Sequence, residues 1–502
     1  MRKLKIIALV IAISCGSLFA VSKKFTTIGS VNPAMANPSD SGTVYLPLIL
    51  TSVNPKEPTV FGVESHQVVG TNLNRLNEVG TYWVRRNGLL WSEVEKTEGV
   101  YDWTALSNLE QEMINASRNG MEIILIVRST PTWAQQRPGV FCGPIESSFF
   151  DKFGDFMYEA VNKYSRPPYN VKYWQIWNEP DADYDYINRP EPGWPFGCWG
   201  DEDAADYGGG YYADMLEVVY PRIKQADDEA QVVLGGLLLS CPPEPERENN
   251  CHLQAKFLEG VLEHNGDNDG KNYFDIIAFH AYDYYLGSLG EFWNGGWMSY
   301  WNDDGPVVLK KSQFIKGVLG KYGALDKEIM VTESAVLYVD AASHLSLNPH
   351  GYDQADEVIS PPDFFTTKTY YIAKVYAASI AEGFQATIWY DLSANWAYSS
   401  LLNRDLTYTD AFWAFQTAKN SFGAASFVRQ IIEFDNVMGY EFDRGDRIIW
   451  IIWSKDGSSE LIDLPSIPLS AWDVLNKPVE VPVLVTDPLQ VGLEPIYLEW
   501  LP

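Results

Sequence analysis

Two apolar runs in this chain each end in a carboxylate: Trp177-Asn178-Glu179-Pro180 and Val331-Thr332-Glu333-Ser334. Either glutamate alone has a plain structural explanation, as a cap or salt-bridge partner at a strand end. Together they are suited to acid-assisted chemistry at an acetal carbon such as that of a glycosidic bond. One carboxyl group protonates the leaving oxygen while the other attacks the carbon or steers water to it, as an oxocarbenium-like transition state requires. Other polar residues close apolar runs in the same way. His280-Ala281-Tyr282 places an imidazole and a phenol on one face of a strand, Trp83-Val84-Arg85-Arg86 brings guanidinium groups, and Trp389 stands near the end of the last run.

Positioning these residues takes a repeated strand and helix frame. From Pro58 onward, short apolar runs at 60–64, 82–86, 123–128, 173–178, 232–238, 274–280, 329–333 and 386–391 alternate with amphipathic segments such as 148–164 and 364–381. Eight such units predict an α/β fold, a (β/α)8 TIM barrel over 58–424. An open doubly wound sheet would carry a glycine-rich turn directly after an early strand, and Gly208-Gly209-Gly210 has neither that place nor that spacing. After about Ala424 the rhythm becomes short alternating strands, as in Arg447 to Trp453, which predicts a small C-terminal β-sandwich domain over 425–502. Barrel enzymes carry their chemistry at the C-terminal strand ends, which is where Glu179 (strand 4) and Glu333 (strand 7) fall.

The surroundings of these glutamates resemble the clan A glycoside hydrolases, in which an Asn-Glu-Pro motif on strand 4 carries the acid/base and the nucleophile ends strand 7. The resemblance spans most of 58–424. It implies a retaining hydrolase with Glu179 as acid/base and Glu333 as nucleophile, and Asn178 on the sugar 2-hydroxyl by way of an irregular strand end. It also implies that His280 and Tyr282 form the His-x-Tyr element, with Tyr282 donating to Glu333, and that Trp389 floors the sugar site. A strand-2 arginine would support the nucleophile. Arg85 aligns better for this than Arg86, and the doublet leaves both open. Glu64, His66 and Trp133 are weaker candidates for substrate contacts. The stretch Trp91-Ser92-Glu93-Val94-Glu95 to Tyr101-Asp102-Trp103, with the C-terminal β-domain, is most similar to family 39, which includes β-xylosidases, with family 5 cellulase-like enzymes close behind. No metal or organic cofactor is implied. A catalytically silent carbohydrate-binding surface protein on the same scaffold would be marked by loss of an essential carboxylate, and both are present.

Composition narrows the partners. With 37 Lys and Arg against 66 Asp and Glu in 502 residues the formal charge is −29, which repels phosphate backbones and anionic lipid, so nucleic acid is not expected. The 29 tyrosines and 18 tryptophans suit sugar faces and hydroxyls, although most must be core. Tryptophans 194, 199, 293, 297 and 301, in the loops after strands 4 and 6, are expected either to form rim subsites or to pack those loops together. Met1-Arg2-Lys3-Leu4-Lys5 followed by the apolar run Ile6 to Ala20 predicts an export signal over 1–20, cleaved near Ala20 or after Ala34-Met35-Ala36, with a lipoprotein-like Cys15 as the alternative anchor. Any membrane association would come through that anchor. Residues 21–57 read as a disordered linker. A secreted or cell-surface location makes disulfides the expected use of Cys142, Cys198, Cys241 and Cys251, and 142 with 198 and 241 with 251 are favoured among three connectivities.

Overall fold

The computed structural model describes residues 56–184, 195–246, 250–296, 299–303, 305–338, 362–394, 396–484 and 486–502. The expected export segment with Cys15, the expected cleavage site at Ala34-Met35-Ala36, most of the expected linker, Trp194 and Trp297 lie outside the described residues.

Eight parallel strands close into a barrel with helices between them. They are β1 (Phe61–Glu64), β2 (Trp83–Leu90), β3 (Glu122–Arg128), β4 (Tyr173–Asn178), β5 (Gln231–Leu237), β6 (Ile276–Tyr285), β7 (Glu328–Leu337) and β8 (Ala386–Trp389). Neighbours run 5-4-3-2-1-8-7-6, and pairing of β5 with β6 closes the ring. Such strands are buried on both faces, which is why they read as continuous apolar runs. Inward-facing Trp83, Ile124, Val233, Ile276, Met330 and Ile388 plug the lower barrel with a dry floor. The outward faces meet amphipathic helices. Helix Phe150–Tyr164, for example, buries Phe153, Phe156, Met157, Ala160, Val161 and Tyr164 at helical spacing.

Three strands outrun their expected lengths, β2 by running on to Leu90 and β6 and β7 by extending together. β6 and β7 stay paired past the rim, through Tyr282↔Ala335 and Tyr284↔Leu337, and a hairpin of Phe292–Gly296 and Ser299–Asp303 adds antiparallel to the end of β6. The segment read from sequence as a long loop is therefore partly sheet, because main-chain pairing with the β6 extension supplies an order that side-chain periodicity does not announce. Two of the described rim tryptophans pack loops rather than form subsites. Trp199 is buried against Trp177 and Tyr212, and half-buried Trp301 donates its indole N–H to the Leu239 carbonyl at 2.6 Å, so both pack loops.

The C-terminal region holds a five-stranded antiparallel sheet, order β9-β10-β11-β15-β13, and a two-stranded pair, β12 with β14. The strands are β9 (Ser426–Ile431), β10 (Val437–Asp443), β11 (Ile448–Ser454), β12 (Glu460–Ile462), β13 (Ser470–Trp472), β14 (Leu489–Val491) and β15 (Ile496–Trp500). The run Ile448 to Trp453 is apolar throughout because both faces are covered. Ile449, Ile451 and Trp453 join the barrel core, while Trp450 and Ile452 meet Ile462, Leu464, Leu489 and Val491. Phe422, ending helix Asp410–Phe422, stacks on Phe442 at 5.1 Å between ring centres. No helix among the described residues is long and apolar enough to cross a membrane.

Both expected disulfides form, Cys142–Cys198 and Cys241–Cys251, with Cα separations of 5.4 and 5.6 Å. They close loops with sequence separations of 56 and 10. By chain entropy, replacing both cysteines of the first bridge with serine is expected to cost about 4 kcal/mol, against about 3 kcal/mol for the second. Thermal melts of the two double variants check that order.

Candidate active site

Above the apolar floor the barrel interior turns polar, and the irregular end of β4 is the reason so many groups converge there. Gln175 points inward and Ile176 outward, as alternation requires. At Trp177 the backbone enters the left-handed region, φ 68°, and the indole stays outside, donating to the Cys142 carbonyl at 3.0 Å. Glu179 repeats this at φ 49°, with its N–H bonded to the Gly236 carbonyl at 2.9 Å. Asn178 and Glu179 thus both face the interior, where strict alternation would separate them. Positive φ at two large non-glycine residues is strain of the kind that surrounding contacts must hold. Gln175 Nε2 donates to the Trp177 carbonyl at 2.8 Å and helps do so.

Arg85, fully buried on β2, is the hub. Its Nη1 meets Glu64 at 2.5 Å and Glu333 Oε1 at 2.6 Å, its Nη2 donates to Asn178 Oδ1, and its Nε donates to Gln175 at 3.1 Å. Arg86 turns the other way, to Glu112 on an outer helix at 2.6 Å, so alternation along β2 resolves the doublet. Burial disfavours the Arg85 charge, but Glu64 and Glu333 more than offset this and keep it a cation. Tyr282 donates to the other oxygen of Glu333. His280 Nδ1 lies 2.7 Å from Glu179 Oε1 and 3.4 Å from Glu333 Oε2. Burial, with the positive charges of Arg85 and Lys311, holds this imidazole well below its usual range, so it is neutral and its contact with Glu179 is a hydrogen bond rather than an ion pair.

The two carboxyl groups are set apart by these neighbours. Burial pushes Glu179 well above the ordinary carboxylate range, and the negative charges of Glu333 and Asp181 push the same way. Burial also raises Glu333, to about 7, but Arg85 and the Tyr282 hydroxyl oppose it. Glu179 therefore holds the proton of the pair more firmly, and Glu333 is the first of the two to ionise. One oxygen from each glutamate and one ring nitrogen of His280 all lie within 4.8 Å of one another. These atom types can bind a divalent ion. Both Glu333 oxygens already face Arg85 or Tyr282, however, and a second cation would sit beside the guanidinium.

Of the sequence-predicted residues, Arg85, Asn178, Glu179, His280, Tyr282 and Glu333 meet in one cluster. Trp389 does not. It is fully buried on the helix side of β8, its indole donating to the Ser399 carbonyl at 2.9 Å and its ring 6.2 Å from Tyr371. Ile388 faces the barrel interior, so the next residue must face out, and the expected aromatic floor at Trp389 is corrected on that ground. Half-buried Tyr390 and Trp396 lie beside Tyr282 instead, at 6.1 and 5.5 Å between ring centres. Glu64 proves a direct partner of Arg85. Exposed His66 sits 3.9 Å from Asp391, and Trp133 packs on Trp91 with its N–H on the Glu95 carbonyl. Gly236 went unnoticed in the sequence. A Cβ there would lie 2.3 Å from His280 Nε2, so the imidazole needs a glycine opposite it. The Gly235-Gly236 doublet inside a strand was the available signal.

No family model and no curated protein matches this chain. Among solved structures it is similar to a family 39 glycoside hydrolase from the gut symbiont Bacteroides cellulosilyticus WH2, with TM-score 0.62, 15% identity, and coverage of 88% of this chain and 81% of that one. It is also similar to a conserved exported protein from Bacteroides fragilis, with TM-score 0.61, 11% identity and coverage of 89% and 98%. A family 30 subfamily 8 xylanase from Clostridium acetobutylicum matches with TM-score 0.55, 11% identity and coverage of 89% and 97%. At such identities the likeness establishes a shared fold.

The electrostatics make a stability prediction. A carboxyl group whose folded pKa is raised binds its proton more tightly folded than unfolded, so stability falls as pH rises from the unfolded value through the folded one. Glu179→Gln removes that dependence. Its melting temperature is expected to exceed that of the unaltered chain at pH 8 and to match it near pH 4, where Glu179 is already protonated. Parallel calorimetry at the two pH values measures this.

Proposed function

We propose that this chain is a retaining glycoside hydrolase acting on oligo- or polysaccharide, with Glu333 as nucleophile and Glu179 as acid/base. The observation that carries the reading is a pair of carboxyl groups whose oxygens approach within 4.8 Å, one of which, Glu333, takes hydrogen bonds from Arg85 and Tyr282 that favour its charged form. Retaining enzymes need about 5 Å between these groups, whereas inversion needs room for an intervening water and roughly 6.5 to 9.5 Å.

In the first step the Glu333 carboxylate attacks the anomeric carbon as Glu179 gives its proton to the departing glycosidic oxygen. The C–O bond breaks and a glycosyl ester forms on Glu333. With the leaving group gone, Glu179 is a carboxylate and takes a proton from water as that water attacks the same carbon. The ester breaks, Glu333 is restored, and two inversions give net retention. His280, neutral and buried, bridges the pair without adding charge. Asn178 commits its Oδ1 to Arg85 and one Nδ2 hydrogen to the Pro195 carbonyl at 3.0 Å, and the second Nδ2 hydrogen is the donor assigned to the sugar 2-hydroxyl. Two disulfides and the apolar run Ile6 to Ala20 support a secreted or cell-surface location.

Intact-mass measurement after exposure to activated 2-deoxy-2-fluoro glycosides tests the reading. A single-glycosyl adduct is expected on the unaltered chain, mapping to Glu333 and absent from Glu333→Ala. No adduct across a broad panel, with no hydrolysis of the parent glycosides, would favour a binding protein. Glu179→Ala is expected to lower kcat/KM by about 10²- to 10⁴-fold on substrates with poor leaving groups. It should spare the glycosylation step for strongly activated aryl glycosides, which leave without a proton, and steady-state kinetics on both substrate types measures the split.

A further inference from the structure

Above the barrel floor β5 and β6 diverge. Their register slips after Leu234, and the last pair is Leu237↔Phe279. One side chain joins the two carbonyls just beyond. Lys311 Nζ, from the first turn of helix Val308–Lys321, donates to the Leu238 carbonyl at 2.9 Å and the His280 carbonyl at 2.8 Å, and the residue is only 2% exposed. The same stretch of backbone is gripped by a buried acid. Asp181, two residues after Glu179, accepts from the N–H groups of Leu238 and Leu239 at 2.8 and 2.9 Å. A buried lysine and a buried aspartate thus clamp the segment linking the Glu179 turn to the strand that carries His280. A neutral donor could have satisfied the two carbonyls, and a buried ammonium is costly, so the charge calls for a reason beyond the hydrogen bonds.

We propose that Lys311 is a positioning residue for Glu179. It ties the His280 strand to β5 and sets a buried positive charge near the acid/base, balanced by Asp181. How firmly Glu179 holds its proton, set first by burial and by Glu333, is then adjusted by two groups that do not touch substrate. The functional consequence rests on the acid/base role given to Glu179 above. The groups facing Glu179 are Glu333 from β7, Asp181 from its own turn, Arg85 from β2 and Lys311 from the helix, together with neutral His280 and Tyr282 from β6. Burial brings Lys311 down to about 8 against the opposing pull of Asp181, Asp283 and Glu179, so it is mainly a cation at neutral pH.

The charges make opposite predictions. Removing the lysine charge favours neutral Glu179 and raises its titration midpoint, whereas removing the aspartate charge lowers it. The experiment is carbon-13 NMR titration from pH 4 to 10 of the full chain labelled at the glutamate carboxyl carbons, with Glu179 assigned by the signal lost in Glu179→Gln. Lys311→Gln keeps an amide donor while discarding the charge, and Lys311→Met, which keeps the stem, replaces it if that variant does not fold. The Glu179 midpoint is expected to rise by about one unit without the lysine charge and to fall by about one unit in Asp181→Asn. Midpoints that move the same way, or that move by less than roughly a third of that shift in the lysine variant, overturn the proposal. The signal reports a proton and not turnover. An unaltered chain that cleaves no glycoside would therefore count against the proposed function and leave the titration result standing.

Discussion

A guanidinium withdrawn from water costs several kcal/mol even after the protein relaxes around it, unless acceptors meet it on every side. Arg85 is such a group, and the top of the barrel is organised by meeting its demand. Glu64 comes from β1, Gln175 and Asn178 from β4, and Glu333 from β7, while Arg85 itself rises from β2. A single charge therefore links strands on different sides of the ring. It opposes the rise that burial imposes on Glu333, fixes the amide of Asn178, and helps keep His280 neutral. Taking away any one partner would leave the others arranged around an incompletely paired charge.

This polar layer is possible because it rests on an apolar one. The dry plug of Trp83, Ile124, Val233, Ile276, Met330 and Ile388 keeps water from entering below, so the charges above it act on one another in a medium of low polarity. The same exclusion of water raises Glu179 and Glu333 together, and their separation into protonated and ionised members then depends on which neighbours each one has. The left-handed backbone at Trp177 and Glu179 adds local strain. The extensive outer packing bears these costs, including the C-terminal sheet, whose inner face continues the barrel core through Tyr440, Phe442, Ile449, Ile451 and Trp453.

Much of this was legible in the chain. Strands buried on both faces are written as apolar runs, so seven of the eight barrel strands start within a residue of their expected places. Expected β6 starts two residues early, and β6 and β7 run on because their extension depends on pairing with each other and with a hairpin. The two cysteine bridges followed from the expectation of export and from proximity in loops of neighbouring strands. Trp389 was misplaced because a residue type was read without the inward or outward turn of its strand, a matter of one position. Arg85 and Arg86 were separable by the same alternation once β2 had its register.

The amino-acid sequence by itself determined the architecture and the kinds of group available, since hydrophobic periodicity and the chemistry of glutamate, arginine and tyrosine are local properties carried by each segment. Beyond the contacts of Glu333 with Tyr282 and a strand-2 arginine, which the resemblance implied, only the tertiary structure decided which of those groups would act on one another. Glu64 is 21 residues from Arg85, and Glu333 is 248 from it. Gly236 and Lys311 matter because of what lies opposite them. The ionisation of a buried carboxyl group is set by charges a few ångströms away in space, and closure of the ring brings those charges together from segments whose own sequences carry no mark of the meeting.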